Sequence, residues 1–539
     1  MKIGVCQVNP TVGAINANKQ LVLDYYNKSI TLGAELVVFP ELVLTGYPPQ
    51  DLLLRDHFLR KVSKALDEIA AYSSVPMILG SILVKNDDLF NSSFLCENGS
   101  IIGSYQKILL PTYDVFDEDR YFKSGSSDCV FNLKVSNQTK KVGLQICEDL
   151  WDHNYSKDLV GIAKDSGAEI IINISASPFG EDRLLERCNI IKQKVQKAGL
   201  PFVYCNLVGS QDELIFDGQS LAYDSKANLI AKGKSFDEDL LIVDLTKSKP
   251  VQIDQPMREE SIFNALTLGV KDYFSKTGHN KAVIGLSGGI DSSLTACIAV
   301  KALGSDNVYG VSMPSKFSSD HSISDAKKLA NNLQIDFRKI PINSIVDSFE
   351  ALLFSDLDKN NIGIAEENIQ SRIRGNILMA LSNKYNWLVL STGNKTELAM
   401  GYCTLYGDMN GGLSVISDLS KEDVYKISNW FNKNSNHIII PANSIEKPPS
   451  AELRPDQIDP FDYNEVSPLV SALIDNEKSP YELIKKGSDS DLVKNISKRI
   501  TLNEYKRRQA APGLRVTSKA FGMGRRVPIV NKYDELRNE

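Results

Sequence analysis

The chain has 539 residues, 42% of them hydrophobic and 24% charged, with a formal net charge of −6. That length exceeds one ordinary core and predicts two domains of roughly 250 residues each. The acidic balance speaks against a nucleic-acid partner, which requires a basic face.

The first residues, MKIGVCQVNPTVG, lack the apolar core of a secretory signal. No apolar run is long enough to span a bilayer, so a cytoplasmic protein with no membrane partner is expected. The eight cysteines are scattered and form no CxxC pair, which fits reduced thiols better than a disulfide framework. Five dispersed histidines argue against zinc and leave open a hard metal held by carboxylates.

Short β-rich runs recur in the first half: KIGVCQV, AELVVFPE, VPMILGSILV, KVGLQICED, AEIIINIS and PFVYCNLVG. Helical stretches such as ANKQLVLDYYNKSITLG and SKDLVGIAKDSG lie between several of them. This pattern predicts a mixed α/β layered domain over residues 1–248. The polar, proline-interrupted stretch LTKSKPVQIDQPMREE carries a linker at 249–260. Three chemically capable residues sit at strand ends: Glu41 in VVFPELVLTGYPP, Lys107 in YQKILLP and Cys147 in VGLQICEDLWD. Alone, a cysteine on a strand is more often core filler than nucleophile. Cys6 fits that plainer description, within an alternating strand.

Together these phrases resemble the Glu-Lys-Cys triad of the nitrilase superfamily across residues 1–248. The resemblance implies an α-β-β-α sandwich. The roles implied for Glu41, Lys107 and Cys147 are general base and acid, oxyanion stabiliser, and nucleophile. Lys107 is expected to favour the thiolate. PTYDVFDEDRYF and NISASPFGEDR resemble the glutamine-binding segments of glutaminase domains in NAD synthetases. They point to Tyr113, Ser177 and Arg183, with Glu148 and Trp151 as further pocket residues. The plainer reading of Tyr113 and Trp151 is core packing.

The second half alternates strand and helix: KAVIGL then DSSLTACIAVKAL, NVYGVSMP then SISDAKKLANNL, and later WLVLST. A doubly wound, Rossmann-like parallel sheet follows over 261–539. The stretch after Lys447 reads as loop-rich. Between the first strand and helix lies SGGIDSS, Ser287 to Ser293. GLSGG also fits a nucleophile elbow, but only His321 and His437 follow it, neither in a triad-like context. An ordinary turn needs fewer hydroxyl residues. A phosphate cradle accounts for the small residues, the hydroxyl donors and the helix that follows. Asp291 suits a magnesium that phosphate also binds. The loop has no GxxxxGK[ST] lysine, which suits a departing pyrophosphate.

SGGIDSS after a strand resembles the loop of the ATP pyrophosphatases, which make adenylates. EENIQSRIRGNILM, STGNKTELAMGYCTLYGD, SDLSKEDVYKI, KPPSAELRPDQ and YKRRQAAPGLRVTSKAFGMGRRVPI narrow the resemblance to the synthetase domain of NAD synthetases. It implies ATP contacts from Gly285, Leu286, Ser287, Gly288, Gly289, Ile290, Asp291, Ser292 and Thr392. It implies deamido-NAD contacts from Asn368, Glu397 and Lys506, and Mg²⁺ near Asp291 and Glu397. Arg372, Lys395, Asp408 and Lys421 are further candidates, Lys421 competing with a solvated charge at an exposed helix start.

The two resemblances together imply ATP-dependent amidation of deamido-NAD to NAD with ammonia from glutamine. An adenylated nicotinate would be the intermediate, and AMP, pyrophosphate and glutamate the other products. The partners are then small molecules: glutamine, ATP and deamido-NAD, with a homo-oligomer and a water-poor ammonia passage as in the family. Alternatives are another glutamine-dependent adenylate-forming amidotransferase and a nitrilase-type amidase regulated by a nucleotide-sensing domain. A tRNA-modifying enzyme is disfavoured by the acidic charge. Residues 352–365 and 444–458 are polar candidates for lids.

Overall fold

The computed structural model describes all residues except 127, 136, 137, 255, 354–362, 456, 534 and 537–539. Most of the first predicted lid therefore lies outside the described residues. The chain divides into two compact units, residues 1–255 and 256–539.

In the first unit β1 (Lys2–Gln7), α1 (Ile15–Thr31), β2 (Leu36–Val38), α2 (Asp56–Tyr72), β3 (Met77–Lys85), β4 (Asp88–Glu97) and β5 (Ser100–Gln106) come first. Next are β6 (Val130–Val135), β7 (Gln138–Ile146), α3 (Leu159–Asp165), β8 (Ile170–Ser175), α4 (Arg183–Ala198) and β9 (Phe202–Asn206). The hairpin β10 (Val208–Gln211) and β11 (Leu214–Asp217) precedes β12 (Leu221–Tyr223), β13 (Leu229–Lys232) and β14 (Asp239–Asp244). Two six-stranded sheets result, ordered β14-β1-β2-β3-β4-β5 and β13-β12-β9-β8-β7-β6.

Strand alternation explains the layering. Ile3, Val5, Leu36, Val38 and Ile78 of one sheet share a buried cluster with Leu144, Ile146, Ile172, Ile174 and Tyr204 of the other. The opposite-facing Cys6, Val37, Met77 and Leu79 pack with Val22 and Tyr26 of α1 and with Val62, Leu66 and Ile69 of α2. On the second sheet's outer side Ala163, Ile191 and Val195 bring in α3 and α4. A period of two in the strands and of three to four in the helices thus builds the α-β-β-α sandwich.

The second unit opens with α5 (Arg258–Thr277), β15 (Ala282–Gly285), α6 (Ile290–Leu303), β16 (Val308–Ser312), α7 (Asp320–Leu333), β17 (Asp336–Lys339), α8 (Asn343–Leu353) and α9 (Ile364–Tyr385). It continues with β18 (Leu388–Ser391), α10 (Lys395–Met400), β19 (Leu413–Ser414), α11 (Lys421–Asn434) and α12 (Ala442–Glu446). The sheet is fully parallel, ordered β17-β16-β15-β18-β19. Helices α5, α6 and α11 pack together, while Val346, Ile369 and Ile373 of α8 and α9 meet Val283, Val311 and Val389 of the strands. α6 is apolar on most of its circumference, which its deep burial requires.

The stretch after Lys447 departs from expectation. It contains α13 (Tyr463–Ile474), α14 (Pro480–Lys485), α15 (Ser490–Leu502) and α16 (Glu504–Arg507). Val466, Val470 and Ile474 lock against Ile496 and Ile500, and with Ala399 and Met400 of α10 they form a small separate core. Pro468 inside α13 masks this helix in the sequence. It falls in the helix's second turn, beyond the first turn where proline costs nothing, and removes one backbone hydrogen bond there.

Candidate active sites

In the first unit three strand ends converge. Glu41 lies in the turn after β2 and is fully buried. Its Oε1 accepts from Lys107 Nζ and from Asn91 Nδ2, each at 2.7 Å, and its Oε2 accepts from the Ala176 amide at 2.8 Å. Lys107, just past β5, also donates to Glu118 Oε1 at 2.8 Å. Tyr47 donates its hydroxyl proton to the same Glu118 oxygen at 2.9 Å. Burial works against the Lys107 charge, but Glu118 and then Glu41 outweigh it and keep the ammonium protonated. Burial and the neighbouring Glu41 push the Glu118 carboxyl up to about 7, against the pull of Lys107.

Cys147 begins a 3₁₀ turn directly after β7 with φ of 43°, a left-handed backbone that a non-glycine residue adopts at a cost. Burial first, then Glu41, raises its thiol well above the ordinary range, and Lys107 only partly opposes them. Lys107 thus favours the thiolate, while burial and Glu41 oppose it. Asp149 ties the parts together. Its Oδ1 accepts from the amides of Ile108 and Leu109, at 3.2 and 2.9 Å, just beyond Lys107. Its Oδ2 accepts from the Ile146 amide at 2.9 Å, just before Cys147, and from Tyr105 at 2.8 Å.

The candidate pocket residues surround this centre. The Tyr113 hydroxyl donates to both Glu148 oxygens at 3.1 Å, and Tyr155 donates to one of them at 3.1 Å. Tyr113 is 53% exposed, so core packing does not explain it. The Arg183 guanidinium stands over the Trp151 ring at 5.0 Å and pairs with Glu186 at 3.0 Å. Ser177 is buried, and its hydroxyl accepts from Arg187 Nη2 at 3.1 Å. Arg187 itself is fully buried and grips both oxygens of Asp217, at 2.9 and 3.0 Å. Glu118, Asn91, Asp149 and Arg187 were not singled out in the sequence. Only the run of acids in DVFDEDR hinted at Glu118.

In the second unit a cavity of about 300 Å³ opens at the carboxyl ends of the parallel strands, the usual place for a ligand in such sheets. Gly285, Leu286, Ser287, Gly289, Ile290, Asp291, Ser292, Thr392 and Glu397 line it. Gly288 has φ of 78°, and a Cβ there would meet the Ser322 carbonyl oxygen at 2.2 Å, so only glycine closes this turn. Ser287 Oγ meets Ser292 Oγ at 3.3 Å and the Gly289 amide at 3.2 Å; neither partner is a base, and the nucleophile-elbow alternative gains no support. Ser292 and Ser293 each donate to the Gly289 carbonyl, at 3.0 and 2.8 Å, holding the loop onto α6.

Asp291, in the first turn of α6, accepts from Asn394 Nδ2 at 2.9 Å and from Lys421 Nζ at 2.5 Å. Lys421 lies 3.6 Å from Glu397 as well, and is buried, which sets aside the solvated-charge alternative. Burial and the nearby Asp291 push the Glu397 carboxyl up to about 8. Asp408 lines the cavity too, its carboxyl raised by burial to about 6.

The remaining candidates stand at the rim or away from it. Asn368 accepts from the Thr404 hydroxyl at 2.7 Å. Lys506 donates to the carbonyls of Gly401 and Cys403, at 2.8 and 2.9 Å. Both brace the segment that carries Cys403 into the cavity wall. Arg372 bonds the Leu405 carbonyl at 3.2 Å. Lys395 is buried and bound to Asp418, Asp475, Thr517 and the Lys519 carbonyl, so its ammonium is engaged in joining chain segments.

Comparison with known proteins places both halves. The carbon-nitrogen hydrolase family matches residues 2–252 and the NAD synthase family residues 262–510. The fold and sites define a two-part enzyme, a carbon-nitrogen hydrolase joined to an NAD synthase. The glutamine-dependent NAD(+) synthetase of Synechocystis sp. is 42% identical over 98% of this chain and 99% of its own. That of Thermotoga maritima is 41% identical over 99% of each. The solved glutamine-dependent NAD+ synthetase of Acinetobacter baumannii, in complex with ADP, is 35% identical with a TM-score of 0.79 over 98% of each chain. The chain belongs to the glutamine-dependent NAD(+) synthetase family. No helix among the described residues is long and apolar enough to cross a membrane.

Proposed function

We propose that the chain releases ammonia from glutamine in its first unit. In its second it joins that nitrogen to the nicotinate carboxyl of deamido-NAD through an adenylate. The observation that carries this reading is the direct Lys107–Glu41 contact at 2.7 Å beside a strained Cys147. It occurs in a chain whose other half opens a glycine-turned cradle at the ends of a parallel sheet.

In the first unit Glu41 takes the Cys147 proton as sulfur attacks the amide carbon of glutamine. Lys107 stabilises the tetrahedral oxyanion, and Glu41 returns the proton to the departing ammonia. Water then attacks the thioester, giving its proton to Glu41. Glutamate leaves and the thiol is restored. Tyr113, Glu148, Trp151, Ser177 and Arg183 form the glutamine pocket. Glu148 meets the substrate ammonium, and Arg183 pairs with the α-carboxylate.

In the second unit the loop Gly285–Ser292 and Thr392 hold ATP, and Asn368, Glu397 and Lys506 hold deamido-NAD. A nicotinate oxygen attacks the α-phosphorus, pyrophosphate departs with the bond's electron pair, and ammonia displaces AMP from the adenylate. Asp291 and Glu397 suit a divalent cation. Both carboxylates lie against the single ammonium of Lys421, and they would hold Mg²⁺ with Glu397 giving up the proton it keeps in the substrate-free state. Bound there, Mg²⁺ would offset charge on the phosphates. Among the described residues no cluster of three or more side-chain ligands forms, so the cation would rely on phosphate and water for its remaining oxygens.

All eight cysteines are free, in keeping with the reducing cytoplasm in which we place the enzyme as a homo-oligomer. The deciding experiment is one incubation with deamido-NAD, ATP, Mg²⁺ and amide-¹⁵N glutamine. Labelled NAD with equimolar AMP is expected. ATP split to ADP, or a different acceptor amidated, would overturn the assignment.

A further inference from the structure

The SGGIDSS loop carries no cation, yet polyphosphate placed on it brings several negative charges. Arg374, Lys421 and Lys447 are the cationic side chains lining its cavity among the described residues. Lys421 is occupied by Asp291 and Glu397. Arg374 turns its Nε to the Met313 carbonyl at 2.9 Å, at the end of β16. Lys447 stands elsewhere. It follows α12, and its Nζ donates to Ser322 Oγ at 2.8 Å. Ser322 is also the residue whose carbonyl packs onto Gly288, so the lysine stands beside the tightest point of the loop.

Among the described residues Lys447 has no ion pair, and burial lowers its pKa. The nearby acids are Asp325, whose Oδ2 accepts from Asn443 Nδ2 at 2.5 Å, and Glu452, whose carboxylate is committed to other donors. Its Oε1 accepts from the hydroxyls of Ser322 and Ser319 at 2.6 and 2.9 Å, and its Oε2 accepts from the Ser319 amide at 3.2 Å. The segment from Lys447 to Glu452 is thereby fastened at both ends to the start of α7. A partly desolvated ammonium held next to an anion cradle, without a carboxylate of its own, is complementary to an incoming anion.

We propose that Lys447 is the cation that binds the β- and γ-phosphates of ATP and holds the departing pyrophosphate on the Ser287–Ser292 loop. This rests on the adenylation reading above. As the nicotinate oxygen bonds to the α-phosphorus, the bond from that phosphorus to the bridging oxygen breaks and its electron pair leaves with pyrophosphate. Lys447 keeps its proton throughout and meets the charge that collects there. It takes the place of the lysine that kinase-type loops carry in their own sequence.

The test uses the full chain with ammonia as nitrogen source, comparing wild type, Lys447→Met and Lys447→Arg. The Met variant is expected to raise the KM for ATP and the inhibition constant of added magnesium pyrophosphate at least tenfold each. Its KM for deamido-NAD should stay within twofold. The Arg variant should recover most of both losses, and Lys447→Gln, judged by the same two constants, serves as the measure should the Met variant fail to fold. An unchanged pyrophosphate inhibition constant in a folded Met variant, or an equal loss toward deamido-NAD, overturns the proposal. Absence of AMP and pyrophosphate from the wild type would instead overturn the adenylation reading beneath it.

Discussion

The Glu118 carboxylate lies 2.8 Å from the Lys107 ammonium, which Glu41 holds from another side at 2.7 Å. Lys107 therefore stands between two buried acids, and the burden of charge is shared. Replacing Glu118 by Gln removes one counter-charge while keeping the shape. Glutamine hydrolysis should fall by about 10²-fold or more, with ammonia-driven synthesis within twofold of wild type. Because its carboxyl is pushed up to about 7, Glu118 takes up a proton as pH falls through neutrality. The wild-type kcat/KM for glutamine should therefore decline on the acid side of about 7, and the decline should weaken in E118Q. A pH profile of both proteins decides it.

The two units predict separable losses. Cys147→Ala should abolish NAD formation from glutamine and leave formation from ammonium salts at high pH largely intact. Asp291→Ala should remove both, because its carboxylate meets Lys421 and Asn394 at the cavity that both nitrogen sources need. Steady-state assays with each nitrogen source check the pair. Equal losses in Cys147→Ala would show that the two chemistries are not separable.

Asp149 accepts four hydrogen bonds that tie the Lys107 segment to the turn bearing Cys147. In Asp149→Asn an amide NH₂ faces donors it cannot satisfy, which costs about 1–3 kcal/mol for each buried mismatch. The glutaminase kcat should drop at least tenfold with a smaller change in KM, since the nucleophile is misplaced while the pocket residues stay. Asp149 acts here through its neighbours. A thermal melt with the same loss but unchanged kcat would mark it as structural only.

Glu397 gives a pH-dependent stability. Its carboxyl is raised to about 8, so in the substrate-free folded state it holds its proton where the unfolded chain has lost it. Between pH about 4.5 and 8 the folded state thus binds more protons, and stability falls as pH rises through that window. Glu397→Gln removes the charged form. It should raise Tm by a few degrees at pH 8 and by little at pH 5. Differential scanning calorimetry at the two values tests this, and a gain of equal size at both would contradict it.

Arg187 and Lys421 show how much stayed hidden in the linear chain. Arg187 reads as an ordinary helix charge and Lys421 as either a ligand contact or a solvated charge, and only tertiary packing buries each against an acid far away in sequence, Asp217 in one case and Asp291 in the other. Glu118 was likewise one acid among several in DVFDEDR. Nothing local distinguishes the one that turns inward. The helices after Lys447 are hidden in the linear chain because their apolar faces find partners in one another and in Ala399 and Met400 of α10, far away in sequence.

The two-part architecture and the glycine-rich turn at Ser287 were legible in the linear chain, and Glu41, Lys107 and Cys147 stood out there through a family resemblance. The architecture and the turn follow from short-range rules: side-chain alternation along strands, and a left-handed turn at Gly288 where a Cβ has no room. Only the folded chain shows which charges meet, that burial and Glu41 push the Cys147 thiol up, and that Lys107 is shared with Glu118. The physical reason is that ionisation depends on burial and on neighbours brought in by the fold.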